Sequence, residues 1–378
     1  MNFQLAEEHE LIRRTVREFA EQRVAPVAEE LDREHRFPYE LVEELAGLGL
    51  MGIPIPEEWG GAGGDTLSYA IAIEELARID SSVCITVAAH TSLGTMPILL
   101  FGTEEQKEAW LPDLASGRKL AAFGLTEPGA GSDAGATQTR AELRDGEWVI
   151  DGAKIFITNA GTDITSCVTI TALTGDGEVS NIIVPNGIPG YVISEPMAKM
   201  GWRASDTREL SFQGCAVPES NLLGRRGQGF HQFLEILDGG RISIAAMAVG
   251  LAQGAFDLAV AYAKEREQFG RPIADFQAVQ FKLADMAVEL GAGRLLTYKA
   301  AWLKDQGRPF GQEAAVAKLY TGEVSSRVVN HALQIHGGYG FMDEFAISRL
   351  YRDQKILEIG EGTNEVQRMV IAKHLGLS

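Results

Sequence analysis

The sequence predicts an α+β multidomain chain of three parts. These are an N-terminal all-α domain over 1–117, a middle β-barrel or sandwich over 118–229, and a C-terminal four-helix bundle over 230–378. Two observations carry that prediction. Apolar residues recur at helical spacing, change to a period of two near Arg118, and return to helical spacing near Phe230. Strands and helices never alternate along the chain, which argues against a parallel βαβ sheet. Length agrees: 378 residues at ~150 per domain give two to three domains. With 45% hydrophobic and 23% charged residues, the composition is that of a packed protein and excludes disordered, collagen-like and coiled-coil classes.

The elements follow in order. Leu11, Val16 and Phe19, set among Glu7, Arg13, Arg17 and Glu21, open an amphipathic helix. Leu41, Val42, Leu45 and Leu48 repeat at helical spacing and stop at Gly49 and Gly52. A Gly/Pro-rich loop spans Pro54–Gly64, and a long helix is expected from about Leu67 to Arg78. Val83–Phe101 comes nearest to a membrane span, but His90, several Ser/Thr and Pro97 interrupt it, so a buried helical pair is expected and no run of ~18 apolar residues is read anywhere. Thr103 with Gln106 is a capping box for a helix ending near Gly117.

In the middle part, Asp145-Gly146 and Asp151-Gly152 flank Glu147–Ile150, and Asp-Gly between β-prone runs signals hairpins. Lys154–Thr158, Ser166–Leu173, Asn181–Val184, Gly190–Ile193 and Glu209–Phe212 are further short strand-like runs, a pattern that suits a small sandwich or barrel. Helical periodicity then returns over Ile242–Arg266, Phe276–Gln306 and Gln312–Ile335, with a last helix over about Asn364–Leu375.

Charge and cysteine content narrow the function. Lys+Arg 34 against Asp+Glu 52 leaves a formal charge of −18, a poor match to nucleic acid or an anionic membrane. Cys84, Cys167 and Cys215 are too scattered for a disulfide framework, and no Cys/His spacing suggests a metal. Met1–Glu10 carries three acidic residues and no apolar core of a signal peptide, so a cytoplasmic setting is expected.

Four clusters are chemically unusual. In Thr126–Asp133, small residues let backbone amides approach a ligand and cradle phosphate, although on the local pattern alone a plain Gly-rich turn is the stronger reading. Neither this stretch nor Gly337-Gly338-Tyr339-Gly340 fits a dinucleotide fingerprint, since no strand–turn–helix βαβ unit surrounds them. Glu358, Glu361 and Glu365 are spaced for one solvated helix face, yet Glu361 sits between two glycines, and Thr363 or Asn364 reads as the cap of the last helix. A carboxylate on such a turn can point into a cavity. Arg241, read as lying at the start of a long apolar helix, suits either a carboxylate partner or a phosphate-bearing ligand. Arg266–Gly270 ends a helix in a charged turn.

Taken together, Leu125–Asp133 (LTEPGAGSD), Phe156–Asn159, Arg266–Gly270, Gln334–Gly338 and Tyr351–Arg368 (YRDQKILEIGEGTNEVQR) give the chain a resemblance to the flavin-dependent acyl-CoA dehydrogenases over nearly its whole length, nearest to the short-chain, butyryl-CoA type. The resemblance implies FAD as cofactor. Phe123, Leu125, Thr126, Gly131 and Ser132 match the strand and turn along the flavin and its phosphates, and Phe156, Ile157 and Thr158 match the strip over its ring. Arg266, Gln268, Phe269, Gln277, Gln334, Gly337 and Gly338 match positions that reach the FAD of a neighbouring subunit, with Thr363 and Asn364 as a further contact, which implies a homotetramer. Ser132, Asp238, Arg241 and Gly362 match contacts to the CoA-bearing substrate.

Glu361 matches the family's catalytic base; the alternative position in some members is Gly240 here, which has no side chain. The resemblance further implies conversion of acyl-CoA to trans-2-enoyl-CoA, with electrons passed to electron-transfer flavoprotein. Two departures stand out: Phe156 replaces a usual Trp, and Gly360 replaces a usual Tyr before the base. Met247 is a candidate pocket floor and Ala89 a roomy side wall without an arginine, which favours short chains, branched ones included, over dicarboxylic ones. A same-fold oxidase or monooxygenase, or a non-catalytic binding protein, are the alternatives; the last predicts erosion of Glu361, Arg266 or the TEPGAGSD turn, and all three are intact.

Overall fold

The computed structural model describes residues 4–377, so the reading of Met1–Glu10 begins partly outside the described residues. Among the described residues, seven α-helices form the first part: α1 (Glu7–Phe19), α2 (Ala28–Glu34), α3 (Tyr39–Gly47), α4 (Thr66–Ala77), α5 (Ser81–Ala89), α6 (Met96–Phe101) and α7 (Glu104–Ala115). Thr103 and Gln106 form the expected capping box on α7. The expected helical pair is instead one continuous element. A π-helical segment, His90–Thr95, joins α5 directly to α6. His90 anchors that segment: its Nε2 donates to the Leu114 carbonyl at 2.9 Å while Nδ1 accepts from the Ala121 amide at 3.2 Å. Burial pushes its pKa down to about 4, so the ring is neutral and can fill both roles.

The middle part is one eight-stranded sheet folded over its own core. Its strands are β1 (Leu120–Gly124), β2 (Arg140–Arg144), β3 (Glu147–Thr158), β4 (Thr165–Gly175), β5 (Glu178–Pro185), β6 (Tyr191–Ile193), β7 (Thr207–Pro218) and β8 (Leu222–Leu223). The order is β6-β7-β3-β2-β4-β5-β8, with β1 added parallel to β4. Trp148, Ile150, Val168, Ile182 and Phe212 meet in its core. Asp145 (φ 52) and Gly146 (φ 83) make the expected hairpin turn between β2 and β3. Asp151-Gly152 does not turn the chain. It is a bulge inside β3, where the register against β7 slips between Ile150 and Gly152. Gly152 takes φ 148, and a Cβ there would stand 2.5 Å from Thr139 Oγ1. Two expected strands are therefore one.

The last part contains α8 (Gly229–Glu265), a small hairpin of β9 (Glu267–Gln268) and β10 (Arg271–Pro272), then α9 (Gln277–Asp305), α10 (Gly311–His336), α11 (Ala346–Gln354) and α12 (Asn364–His374). The long helices α8, α9 and α10 with α12 make the bundle, and α11 is an extra helix that periodicity alone did not show. α8 runs straight through Gly239-Gly240, so Arg241 lies inside it rather than at its start. Two helical stretches, Ser81–Phe101 and Gly229–Glu265, are long and apolar enough to cross a membrane, contrary to the sequence reading; 78% and 67% of their apolar windows are buried within the protein, as in core helices.

The three parts are tied by polar bonds. Asn159 Nδ2 donates to the Thr86 carbonyl at 2.9 Å, Asn181 Nδ2 to Gln232 Oε1 at 2.8 Å, and the Trp202 amide to Asp353 Oδ1 at 2.7 Å. These bonds fix the sheet against both helical parts and set the frame for the site.

Candidate active site

The turn between α11 and α12 is built around Glu361. A short 3₁₀ segment, Lys355–Glu358, ends α11, and the chain then reverses through Glu361 (φ 52) and Gly362 (φ 87), both left-handed. Thr363 caps α12, accepting from the Val366 amide at 3.3 Å. Glu358, Glu361 and Glu365 therefore share no helix face: Glu358 pairs with Lys355, and Glu365 lies in the first turn of α12. A left-handed backbone is costly for a residue with a side chain, and the surroundings must hold it.

Glu361 points at α8. A Cβ at Gly240 would lie only 2.0 Å from Glu361 Oε2, so glycine is what lets the carboxylate occupy that space. Oε2 is buried and hydrogen-bonds to nothing in the protein. Burial raises the carboxyl pKa to about 7, against the opposing pull of Lys318 and then Arg241. Lys318, fully buried on α10, gives its protons elsewhere: Nζ donates to the Gly362 carbonyl at 2.8 Å and to Asn364 Oδ1 at 3.3 Å. Arg241 is 3% exposed, forms an ion pair with Asp238, and leaves Nε without a partner.

A second centre lies in the sheet. The turn after β1 is held by Glu127 and Lys154, a pair the sequence reading missed. Lys154 Nζ donates to Glu127 Oε1 at 2.7 Å, to the Leu125 carbonyl at 3.1 Å and to Thr171 Oγ1 at 3.0 Å. Glu127 also accepts from Thr137 Oγ1 and from the Gln138 and Thr139 amides. Burial raises the Glu127 pKa, but these bonds outweigh it and pull the group down to about 2. The signal was Lys154 on the inward phase of a strand, where an unpaired charge would be prohibitive.

Around this pair the expected ligand-facing residues are arranged. The Ile155 amide donates to the Thr126 carbonyl at 2.8 Å, which lays the turn against the 155–158 strip. Phe123, Leu125, Thr126 and Thr158 are half-buried, Gly131 and Ser132 exposed, and Ile157 buried. Phe156 stands out at φ 63 with its residue surface 62% exposed, an unusual setting for an aromatic in a sheet.

The third group is brought together only in part. Arg266, Gln268, Gly337 and Gly338 line one cavity of about 460 Å³ with His336 and Tyr339, and Arg266 lies over the Tyr339 ring at 5.5 Å. Phe269 (94% exposed), Gln277 and Gln334 lie on the surface outside that lining. A smaller cavity of about 90 Å³ is lined by Tyr69, Ser92, Met96, Gly239 and Lys304 among others. Met247 and Ala89 are packed in the core and do not line it. Among the described residues no three His, Cys, Asp or Glu side chains are grouped to hold a metal.

Comparison with known proteins gives the class. Family models described as acyl-CoA dehydrogenase N-terminal, middle and C-terminal domains match residues 6–118, 122–215 and 227–376. The "Probable acyl-CoA dehydrogenase YngJ" of Bacillus subtilis is 53% identical over 99% of this chain and 100% of its own length. Butyryl-CoA dehydrogenase from Megasphaera elsdenii superposes with TM-score 0.97 at 44% identity, covering 99% of this chain and 100% of that one. A chain solved in work on the electron transferring flavoprotein of Acidaminococcus fermentans gives TM-score 0.97 at 45% identity, covering 99% of both. The protein is thus an enzyme, a flavin-dependent oxidoreductase. It belongs to the acyl-CoA dehydrogenase family, whose members use FAD.

Proposed function

We propose that this protein dehydrogenates a short- to medium-chain acyl-CoA, branched chains included, to the trans-2-enoyl-CoA, with Glu361 as the base. One observation carries the reading: Glu361 Oε2 is buried, unpaired and next to the side-chain-free Gly240, with a pKa near 7. A general base works best when its pKa lies near the working pH. In this reading Oε2 takes the α-proton of the thioester, and the Glu361 backbone N–H serves as a donor to the thioester oxygen as charge builds there. Asp238, Arg241, Ser132 and Gly362 hold the CoA portion, with the Arg241–Asp238 ion pair fixing the guanidinium.

The exposed face of Phe156 and the small, exposed residues of the 125–132 turn fit a flavin ring and its phosphates: Gly131 has nothing within 4 Å of where a Cβ would stand. FAD, when bound, supplies the acceptor for the β-hydride. Phe123, Leu125, Thr126, Ile157, Thr158, Thr363 and Asn364 complete its surroundings. Arg266, Gln268, Phe269, Gln277, Gln334, Gly337 and Gly338 serve the FAD of a neighbouring subunit in a homotetramer, a reading supported by a cavity that opens at the surface. Short chains are favoured by the likeness to a butyryl-CoA dehydrogenase, and branched ones by Gly360, where a Cβ would meet only Ile356 at 3.4 Å or beyond. Electron-transfer flavoprotein is the proposed acceptor, in keeping with the Acidaminococcus neighbour.

The test is an anaerobic visible spectrum of the purified protein before and after butyryl-CoA. Oxidised flavin that bleaches in wild type but not in Glu361→Gln supports the reading. Bleaching in both defeats the base assignment, and a yellow wild type inert to butyryl-CoA but bleached by a longer or branched thioester moves the chain-length assignment.

A further inference from the structure

The Glu361 turn raises a question that the base assignment leaves open: what keeps a carboxylate-bearing residue in a left-handed backbone, aimed at α8, with no bond to its own Oε2? Two side chains from two helices reach the turn. From α10, Lys318 Nζ donates to the Gly362 carbonyl at 2.8 Å and to Asn364 Oδ1 at 3.3 Å. From α12, Gln367 Nε2 donates to the Gly362 carbonyl at 2.9 Å and to the Glu361 carbonyl at 3.3 Å. Both donors are fully buried. They satisfy the carbonyls that the reversed turn turns inward, which a buried backbone requires. None of these protons goes to the carboxylate.

We propose that Lys318 is a positioning residue for the reaction: its ammonium clasps the Glu361–Gly362 turn through backbone and Asn364 oxygens, holds the carboxylate toward Gly240, and lends it a positive field without a hydrogen bond. The inference rests on Glu361 being the base. A lysine bonded directly to the carboxylate would hold the anion too firmly to take a proton, as Lys154 holds Glu127. Bonded to the carbonyl beside it, the ammonium attracts the anion through space and leaves Oε2 free for substrate.

The charged surroundings are consistent with this division. Glu361 is faced by Lys318 from α10, by Arg241 from α8 and by Tyr69 from α4, and Arg241 is itself paired with Asp238 on α8. Lys318 is in turn within the field of Arg241, Glu358 and Glu365. Arg241 has Asp238 as a partner, so Lys318 is the larger attractive charge on Glu361. Burial lowers the Lys318 pKa to about 8, against the pull of Glu361, so it is protonated at neutral pH and its charge is present when the base works.

The experiment compares Lys318→Met, Lys318→Arg, Gln367→Met and Glu361→Gln as purified, flavin-loaded proteins. Each is read by flavin-to-protein absorbance ratio, melting temperature, and the pH profile of kcat/KM for butyryl-CoA. With Lys318→Met, the acid limb should move up by about one pH unit and kcat should fall about a hundredfold, the order expected for a misplaced catalytic group, with KM changing less. Gln367→Met removes a clasp but no charge, so kcat should fall while the acid limb stays. Lys318→Arg should restore the limb toward wild type. A Lys318→Met enzyme with wild-type limb and kcat overturns the proposal, as does a Gln367→Met enzyme whose limb shifts equally. If Lys318→Met does not hold flavin, Gln367→Met decides: an unchanged kcat there overturns it. Turnover retained in Glu361→Gln would instead sink the base assignment itself, so the two failures are separable.

Discussion

Two buried carboxylates, each with a buried lysine nearby, behave in opposite ways. In the sheet, Glu127 takes a 2.7 Å bond from Lys154 plus bonds from Thr137 and two backbone amides, and its pKa falls to about 2. In the bundle, Glu361 has one oxygen with no partner, Lys318 bonds to the neighbouring carbonyl instead, and its pKa rises to about 7. The same two residue types thus give a permanent anion in one place and a poised base in the other. What decides is where the ammonium sends its protons. A charge can lower the cost of burying an anion either by bonding it, which locks it, or by acting through space, which leaves it reactive.

The comparison predicts its own failures. The largest effect should come from Glu361→Gln, which keeps the shape and removes the basicity: turnover should drop by up to ~10⁴-fold, measured by steady-state assay with butyryl-CoA. Next is Lys154→Met in the sheet. Leaving Glu127 buried without its cation should cost about 3–5 kcal/mol of stability, read by denaturant unfolding. If that variant keeps its stability but loses turnover, Glu127 and Lys154 have been wrongly classed as scaffold.

Stability against pH should separate the two groups by sign. Glu361 has a folded pKa near 7, above its ordinary 4.5. The folded state therefore binds its proton more tightly, and that stabilisation is full below pH 4.5 and lost as pH rises to about 7. The difference between wild type and Glu361→Gln should grow over that window to ~3 kcal/mol. Glu127 runs the other way: its contribution is present above pH 4.5 and fades as pH falls toward 2, so Glu127→Gln should flatten the acid side. Unfolding free energies at a series of pH values would show both. The smallest effect should be Gly240→Ala. A methyl group 2.0 Å from Oε2 must displace the carboxylate, so kcat should fall about a hundredfold with little change in melting temperature.

Much of this was legible in the residues, and the limits have physical causes. Local chemistry read well: the Thr103–Gln106 box, the Thr363 cap and the Asp145-Gly146 hairpin are each decided within four residues. Glu361 was legible because glycines on both sides set it apart from Glu358 and Glu365. What failed depended on distant neighbours. Gly239-Gly240 reads as a helix break in isolation, yet α8 passes through both, and Glu361, over a hundred residues on, fills the space a side chain at Gly240 would take. Asp151-Gly152 reads as a second hairpin, but it is a bulge in β3, packed so closely against Thr139 that a Cβ at Gly152 would not fit. α11 hid because its two arginines, Arg349 and Arg352, find their partners, Asp80 and Asp32, far away in the N-terminal part. Lys318 escaped for the same reason, since it looks like an ordinary lysine until its oxygens arrive from elsewhere in the chain, whereas Lys154 was marked only by its inward phase on a strand.

The most direct test is the pH dependence of flavin reduction by butyryl-CoA in single turnover, under anaerobic conditions. A Glu361 whose Oε2 is buried and unpaired predicts a rate that rises through an apparent pKa near 7 and a Glu361→Gln variant in which the reaction is all but absent. A limb at the ordinary carboxylate value of 4.5, or a limb near 7 that persists in Glu361→Gln, would contradict the account.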